Sequence, residues 1–349
     1  MWLDERTIVA LAADRGAAHP YRFGLDGSVE RLAGGDEVVC TSIAAGGGRV
    51  AVVASVDGPG EVFAVEEGRL RRLTTGGSRW FGPFRRTPER VAVPHPDGHE
   101  IDGWLLRARG SRRPGRLVID VHGGPHASFG PVPWLEMVAL ADAGIHVLWT
   151  NPRGSTSYGE KFARTTDGAW GDADGDDLQR VVAWAVKQGL ADPARIGVMG
   201  LSYGGFMTNW LLGHAPGVFA AGVSENPVTD MLGEYASSDF GRIIGTLAAG
   251  MDRPWDDIPA FLERSPWVQI HRNESPLLLL QSEADLRCPP GQSEMVFTIL
   301  RSLGRTVEMV RYPDESHVLL LNGRPDRRVD RIERIVDWFT RHLGARSSR

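Results

Sequence analysis

The sequence predicts an α/β fold, a mostly parallel sheet with helices on both faces, preceded by a small all-β segment. Three observations predict it. From Arg90 onward, short apolar runs alternate with longer stretches of helical period, the pattern of repeated strand and helix units. An antiparallel hairpin opens this part, because Val91-Ala92-Val93-Pro94 and Ile101-Asp102-Gly103-Trp104-Leu105-Leu106 flank Asp97-Gly98, a strong turn signal. Residues 1 to about 78 instead carry short alternating runs between glycine-rich turns, which read as β-hairpins.

Within that first segment, Phe23-Gly24-Leu25-Asp26-Gly27-Ser28-Val29-Glu30-Arg31-Leu32 resembles Phe63-Ala64-Val65-Glu66-Glu67-Gly68-Arg69-Leu70-Arg71-Arg72-Leu73. The two lie roughly 40 residues apart, the period of a four-stranded propeller blade. Residues 1–78 therefore read as one to two blades, or alternatively as an irregular β-hairpin lid. A closed propeller needs at least about four blades, more than the chain before Gly76 supplies. Residues 79–349 form the second domain. There Leu117 to Val121 reads as a strand, Trp134 to Ala143 as a helix, His146 to Thr150 as a strand and Asp176 to Lys187 as a helix. Ala220 to Val223, Leu277 to Leu280 and Val307 to Tyr312 follow as strands, and Arg328 to Leu343 as the last helix. Residues 229–264 interrupt the alternation and read as a helical insert near the active-site mouth, since ligands bind outside the carboxyl ends of such strands. Trp134, Trp149, Trp210 and Trp338 fall in these elements and read as core.

One turn organises the chemistry. Gly200-Leu201-Ser202-Tyr203-Gly204 follows the strand-like Arg195 to Met199 and precedes the helix-like Phe206 to Leu212. That is the context of a G-x-S-x-G nucleophile elbow, in which a sharp turn puts the serine at its apex. A serine hydroxyl needs a base, and the base needs a carboxylate to hold its tautomer. Asp285 and His317 follow in that order, each in a loop just past a strand end. The strand at Leu117 ends in His122-Gly123-Gly124-Pro125, where the backbone N–H of Gly124, with that of Tyr203, would face the oxyanion formed when Ser202 attacks a carbonyl. His122 either orients this loop or points into the core.

His122-Gly123-Gly124-Pro125-His126, Asn151-Pro152-Arg153-Gly154-Ser155, the elbow with Gly205-Phe206, Asp285-Leu286-Arg287 and Glu315-Ser316-His317 together resemble the prolyl oligopeptidase family of serine peptidases. The acylaminoacyl-peptidase branch, which also carries a stretch similar to Asn226-Pro227-Val228, is the nearest likeness. The resemblance runs from about Arg90 to the C-terminus and implies an α/β-hydrolase catalytic domain behind an N-terminal β-propeller. It implies Ser202 as nucleophile, Asp285 as orienting carboxylate and His317 as base. It further implies a substrate-facing role for Arg287, whose other reading is a surface salt bridge, and a place for Cys288 and Tyr203 in the substrate pocket wall. Two departures stand out. Gln281-Ser282 replaces His-Gly or a similar pair, and Val318 replaces the glycine usual after the histidine, which puts the positioning of Asp285 and His317 in question.

The 349 residues carry a formal net charge of −5 and no basic run, which argues against nucleic acid as a partner. No apolar stretch approaches the roughly 18 to 20 residues that span a bilayer, and Met1-Trp2-Leu3-Asp4-Glu5 is no signal peptide, so no membrane partner is expected. Cys40 and Cys288 are the only cysteines, which leaves no disulfide framework and fits a cytoplasmic location. The acidic run from Asp172 to Asp177 lacks the glycine and glutamate offsets of a calcium loop and reads as a helix opening. Neither metal nor cofactor is expected. The activity read from these residues is a serine hydrolase acting through an acyl-enzyme, a peptidase releasing acylated or free N-terminal residues from short peptides. A carboxylesterase with an open site and a catalytically impaired binding module are the alternatives. Unpaired blade edges also predict self-association through residues 1–78.

Overall fold

The computed structural model of the chain describes residues 1–56, 58–110 and 114–344; the last five residues of the 79–349 span lie outside the described residues. The first sheet holds β1 (Thr7–Asp14), β2 (Ala17–Gly24), β3 (Val29–Arg31), β4 (Val39–Gly46), β5 (Arg49–Ser55), β6 (Glu61–Glu66) and β7 (Arg69–Arg72). Strands β4 to β7 form a four-stranded antiparallel meander, the shape of one blade, and β1 to β3 a three-stranded one. Among the described residues the strands of the two pair only at Ala18 against Val39, and Val9 and Leu32 pack on Val50 across the join. The repeat is the closing hairpin of each unit, β2 with β3 and β6 with β7. Alternation along β5 buries Val52 and Ala54 against Cys40 and Phe63, and Val50 against Val9 and Leu32, two small cores.

The chain leaves this sheet through α1 (Gly76–Phe81), so the boundary read at residue 78 falls inside a helix. The second sheet follows the order β15-β14-β13-β12-β10-β11-β9-β8. Its hairpin is β8 (Glu89–Pro94) and β9 (Glu100–Leu106), turning at Asp97-Gly98 as expected. Then come β10 (Gly115–Val121), α2 (Leu135–Asp142), β11 (His146–Asn151), α3 (Glu160–Ala163), α4 (Ala173–Lys187), β12 (Ala191–Leu201), α5 (Tyr203–His214) and β13 (Ala221–Glu225). From β11 to β15 all neighbours are parallel. Their continuous apolar runs follow from burial on both faces. On one face α4 and α5 pack Leu178, Val181, Phe206 and Met207; on the other α2 brings Met137 and Leu140.

Residues 229–264 hold α6 (Met231–Ser237), α7 (Gly241–Ala249) and α8 (Ile258–Glu263), followed by α9 (Trp267–Ile270). After β14 (Leu277–Ser282) comes α10 (Gly291–Ser302), a helix the sequence reading passed over, then β15 (Val307–Tyr312), α11 (Leu319–Asn322) and α12 (Pro325–His342). Trp149 and Trp338 are fully buried and Trp210 nearly so, but Trp134 stands just before α2 and is half-buried. The two sheets meet where the β1–β2 turn enters the second unit. The Arg15 and Gly16 amides donate to the Ser157 carbonyl and hydroxyl, and a Cβ on Gly16 would sit 2.4 Å from the Trp104 ring.

Candidate active site

Between β12 and α5, Ser202 adopts φ 62° and ψ −119°, a region that costs a side-chain-bearing residue about 1–3 kcal/mol. Its neighbours hold it there. A Cβ on Gly204 would lie 2.1 Å from the Val121 carbonyl oxygen, so strand and helix approach this closely only with glycine at that position. The Ser202 N–H donates to the Glu225 carbonyl at 2.9 Å and the Ser202 carbonyl accepts from Phe206 N–H at 2.8 Å. Behind it, the Glu225 carboxylate is gripped by the buried Arg331 guanidinium at 2.7–2.8 Å, and Arg331 reaches Glu136 at 3.1 Å.

The loops after β14 and β15 bring Asp285 and His317 together. His317 Nδ1–H donates to Asp285 Oδ2 at 2.7 Å, while Asp285 Oδ1 accepts the N–H groups of Arg287 and Cys288 at 2.8 and 2.9 Å. The carboxylate is buried with both oxygens satisfied, and the tautomer that leaves His317 Nε2 as acceptor is selected. The two departures do no harm. Val318 sits at φ −107° and Ser282 is not among the positive-φ residues, so neither position calls for glycine.

Asn226 does the bracing that the sequence reading did not assign to it. It is buried, at φ 39°, a conformation asparagine tolerates better than most residues. Its amide donates to the His317 carbonyl at 2.8 Å and its oxygen accepts the Ser282 N–H at 2.7 Å, so one side chain ties the acid loop to the base loop. Gln281 adds a second brace, donating to the Cys288 carbonyl at 3.2 Å and accepting from Ser293 Oγ at 2.6 Å.

The glycine pair lies against the elbow. A Cβ on Gly123 would stand 3.7 Å from Ser202 Cβ, and Gly124 takes φ 127°. Tyr203, as the first residue of α5, has an N–H that no carbonyl within the helix can accept. His122 resolves toward both of its readings. It is buried edge-on against Phe129, and it orients the loop, with Nδ1 2.7 Å from the Gly123 carbonyl and Nε2 2.9 Å from Ser155 Oγ. Burial pushes its pKa down to about 4, which keeps the ring neutral.

Two pocket assignments change, those of Tyr203 and Arg287. The Tyr203 side chain does not line a pocket: it is fully buried, stacked on Phe206 and edge-on to Trp170, with its hydroxyl donating to Asp174. Arg287 takes the salt-bridge reading, pairing with Asp239 of the insert at 2.7 Å and lying over the Phe240 ring at 4.5 Å. Cys288 is fully buried with its thiol within hydrogen-bonding reach of Ser202, and burial pushes the thiol pKa well up, which makes it a poor nucleophile. Sequence periodicity could not place these side chains, because each partner lies in another segment.

Among the described residues two groups have metal-ligating atoms close together, His95 with Asp97 and His99, and His95 with Asp176 and Asp177. The Arg153 guanidinium stands among them, 2.7 Å from Asp177 and 3.4 Å from Asp97 and Asp176, and supplies the positive charge those carboxylates face. Asp174 takes the Gly171 and Gly175 amides and Asp176 pairs with Arg180, in keeping with a helix opening.

The profile of the prolyl oligopeptidase family matches residues 132–346. An uncharacterized peptidase of Bacillus subtilis, YuxL, is 32% identical over 350 residues, covering 97% of this chain and 52% of that one. The acylamino-acid-releasing enzyme of Arabidopsis thaliana is 32% identical over 233 residues, 65% of this chain and 30% of that one. Among solved structures, uncomplexed Pyrococcus horikoshii acylaminoacyl peptidase superposes with a TM-score of 0.90 at 29% identity, covering 99% of this chain and 56% of that one. The chain thus spans about half the length of the Bacillus protein and of the Pyrococcus one.

Proposed function

The chain belongs to the prolyl oligopeptidase family, and from that premise we propose that it is a serine peptidase releasing acylated or free N-terminal residues from short peptides. The observation that carries this is the bond from His317 to Asp285 at 2.7 Å beside a serine held at a positive-φ elbow. His317 Nε2 takes the Ser202 proton as Oγ attacks the substrate carbonyl. The oxyanion is met by the N–H groups of Gly124 and Tyr203, each donor worth on the order of 10²- to 10³-fold in rate. The imidazolium then protonates the leaving amine, and water repeats the sequence to free the acyl group. Asp285 holds the ring in place and stabilises the imidazolium.

A carboxylesterase is the second reading, favoured by the first sheet: its blade-like units share one bridge and do not close a ring among the described residues. A binding module without catalysis is disfavoured by the satisfied Asp285. Because no described helix is long and apolar enough to cross a membrane, and Cys40 and Cys288 are both unpaired and buried, a cytoplasmic enzyme on soluble peptides is the proposed setting. Self-association through the first sheet belongs to the same proposal; sedimentation at high concentration showing only monomer refutes it.

The deciding experiment compares kcat/KM for an N-acetyl-aminoacyl anilide, the free-amine anilide and a p-nitrophenyl ester, with Ser202→Ala as blank. Anilide turnover dependent on the acetyl cap supports the acylaminoacyl-peptidase reading; ester turnover alone replaces it with the esterase.

A further inference from the structure

Beside the triad lies a second buried carboxyl that the mechanism does not use. Glu234 and Met231, three residues apart, form the buried face of α6, and Glu234 is fully buried. Neither of its oxygens has a hydrogen-bond partner. The Ser238 hydroxyl stands close enough to stabilise its charge, but that proton is spent elsewhere. The Ser238 hydroxyl donates to the Arg287 carbonyl at 2.6 Å, and the Arg287 guanidinium is taken by Asp239. Asp285 and Asp239 add negative field, Arg242 of α7 is spent on Asp252, and Gln292 of α10 gives its amide to the Asp230 carbonyl. Burial, helped by those carboxylates and opposed in part by Ser238 and Arg287, pushes the Glu234 pKa up to about 8. The Cys288 thiol feels this carboxyl and also lies within hydrogen-bonding reach of the Ser202 hydroxyl, so nucleophile, thiol and acid share one neighbourhood.

An unpaired buried acid weakens the fold, and an apolar side chain of the same volume would pack there at no such cost. We propose that Glu234 determines specificity at the subsite for the side chain preceding the cut, and that it selects a cationic residue, lysine or arginine. The inference rests on the peptidase reading above. A long cationic side chain passing the Cys288 thiol supplies the positive charge that the protein withholds, and the insert helices shift to admit it. Aliphatic residues leave the acid unpaired and bind less well.

The test is kcat/KM for N-acetyl-lysyl, -arginyl, -leucyl and -alanyl anilides on wild type, Glu234→Gln and Glu234→Met. In wild type the lysyl-to-leucyl ratio favours lysine by about 10- to 100-fold, and it rises with pH toward about 8 as Glu234 ionises. In both variants the ratio falls below one and loses its pH dependence, while Glu234→Met melts at higher temperature than wild type. A wild-type enzyme preferring leucine, or a ratio untouched by either variant, overturns the inference while leaving the peptidase reading standing. No hydrolysis of any anilide overturns the peptidase reading and this inference with it.

Discussion

Two buried carboxyls stand on opposite banks of the same site. Asp285, on the loop after β14, accepts two backbone N–H groups and the His317 ring. Glu234, on the insert helix α6, accepts from nothing. The sheet side is over-determined: Asn226, Gln281, His122 and the Arg331 pair each cross-link two segments around the triad. On the insert side, by contrast, the Glu234 carboxyl is left with unspent bonding capacity. The cross-links that hold Asp285 and His317 in place thus lie on the sheet side, as a rigid catalytic arrangement requires.

The comparison breaks first at the nucleophile. Ser202→Ala should lower kcat by about 10⁴-fold or more, and a purified variant keeping most of its anilide turnover would remove the sheet side from catalysis. Asn226→Ala sharpens the claim of rigidity. It frees the His317 carbonyl and the Ser282 N–H from their clamp, so kcat should fall roughly 10- to 100-fold with little change in KM, at a stability cost of about 1–3 kcal/mol. Loss expressed in KM alone would make Asn226 a binding residue instead.

A smaller effect separates the two acids by pH. With its pKa raised from 4.5 to about 8, folded Glu234 holds a proton that the unfolded chain releases above about pH 4.5. Its contribution to stability is therefore full below that pH and is lost as pH rises toward 8. Melting curves of wild type and Glu234→Gln should run together near pH 4.5 and separate in favour of the variant by pH 8; parallel curves would show that the acid is solvated. The smallest effect belongs to Arg287→Ala. Its pair with Asp239 is two-fifths exposed, so it should cost within about 1 kcal/mol, and a large loss of kcat would return Arg287 to the substrate-facing role.

How much of this was legible depended on the range of the interaction. The elbow was readable because Gly200 to Gly204 are five consecutive residues of one turn. Asp285 and His317 were readable as polar residues just past apolar strands. The α10 helix was passed over because Pro289 and Pro290 precede it and its polar residues Gln292 and Ser293 are buried, which blurs the apolar stripe. Arg287 and Cys288 could be numbered but not oriented, and Tyr203 was taken for pocket wall although its hydroxyl meets Asp174, 29 residues earlier.

By itself the sequence determined the order of strands and helices and the elbow, because those follow from backbone sterics and periodicity within a few residues. Only the tertiary structure decided which side chains clamp, pair or stay unpaired. The Asn226 bond to His317 spans 91 positions and the Arg331 bond to Glu136 spans 195. Such partners are chosen when helices close over the sheet and exclude water, and no local pattern encodes which polar groups will then find each other.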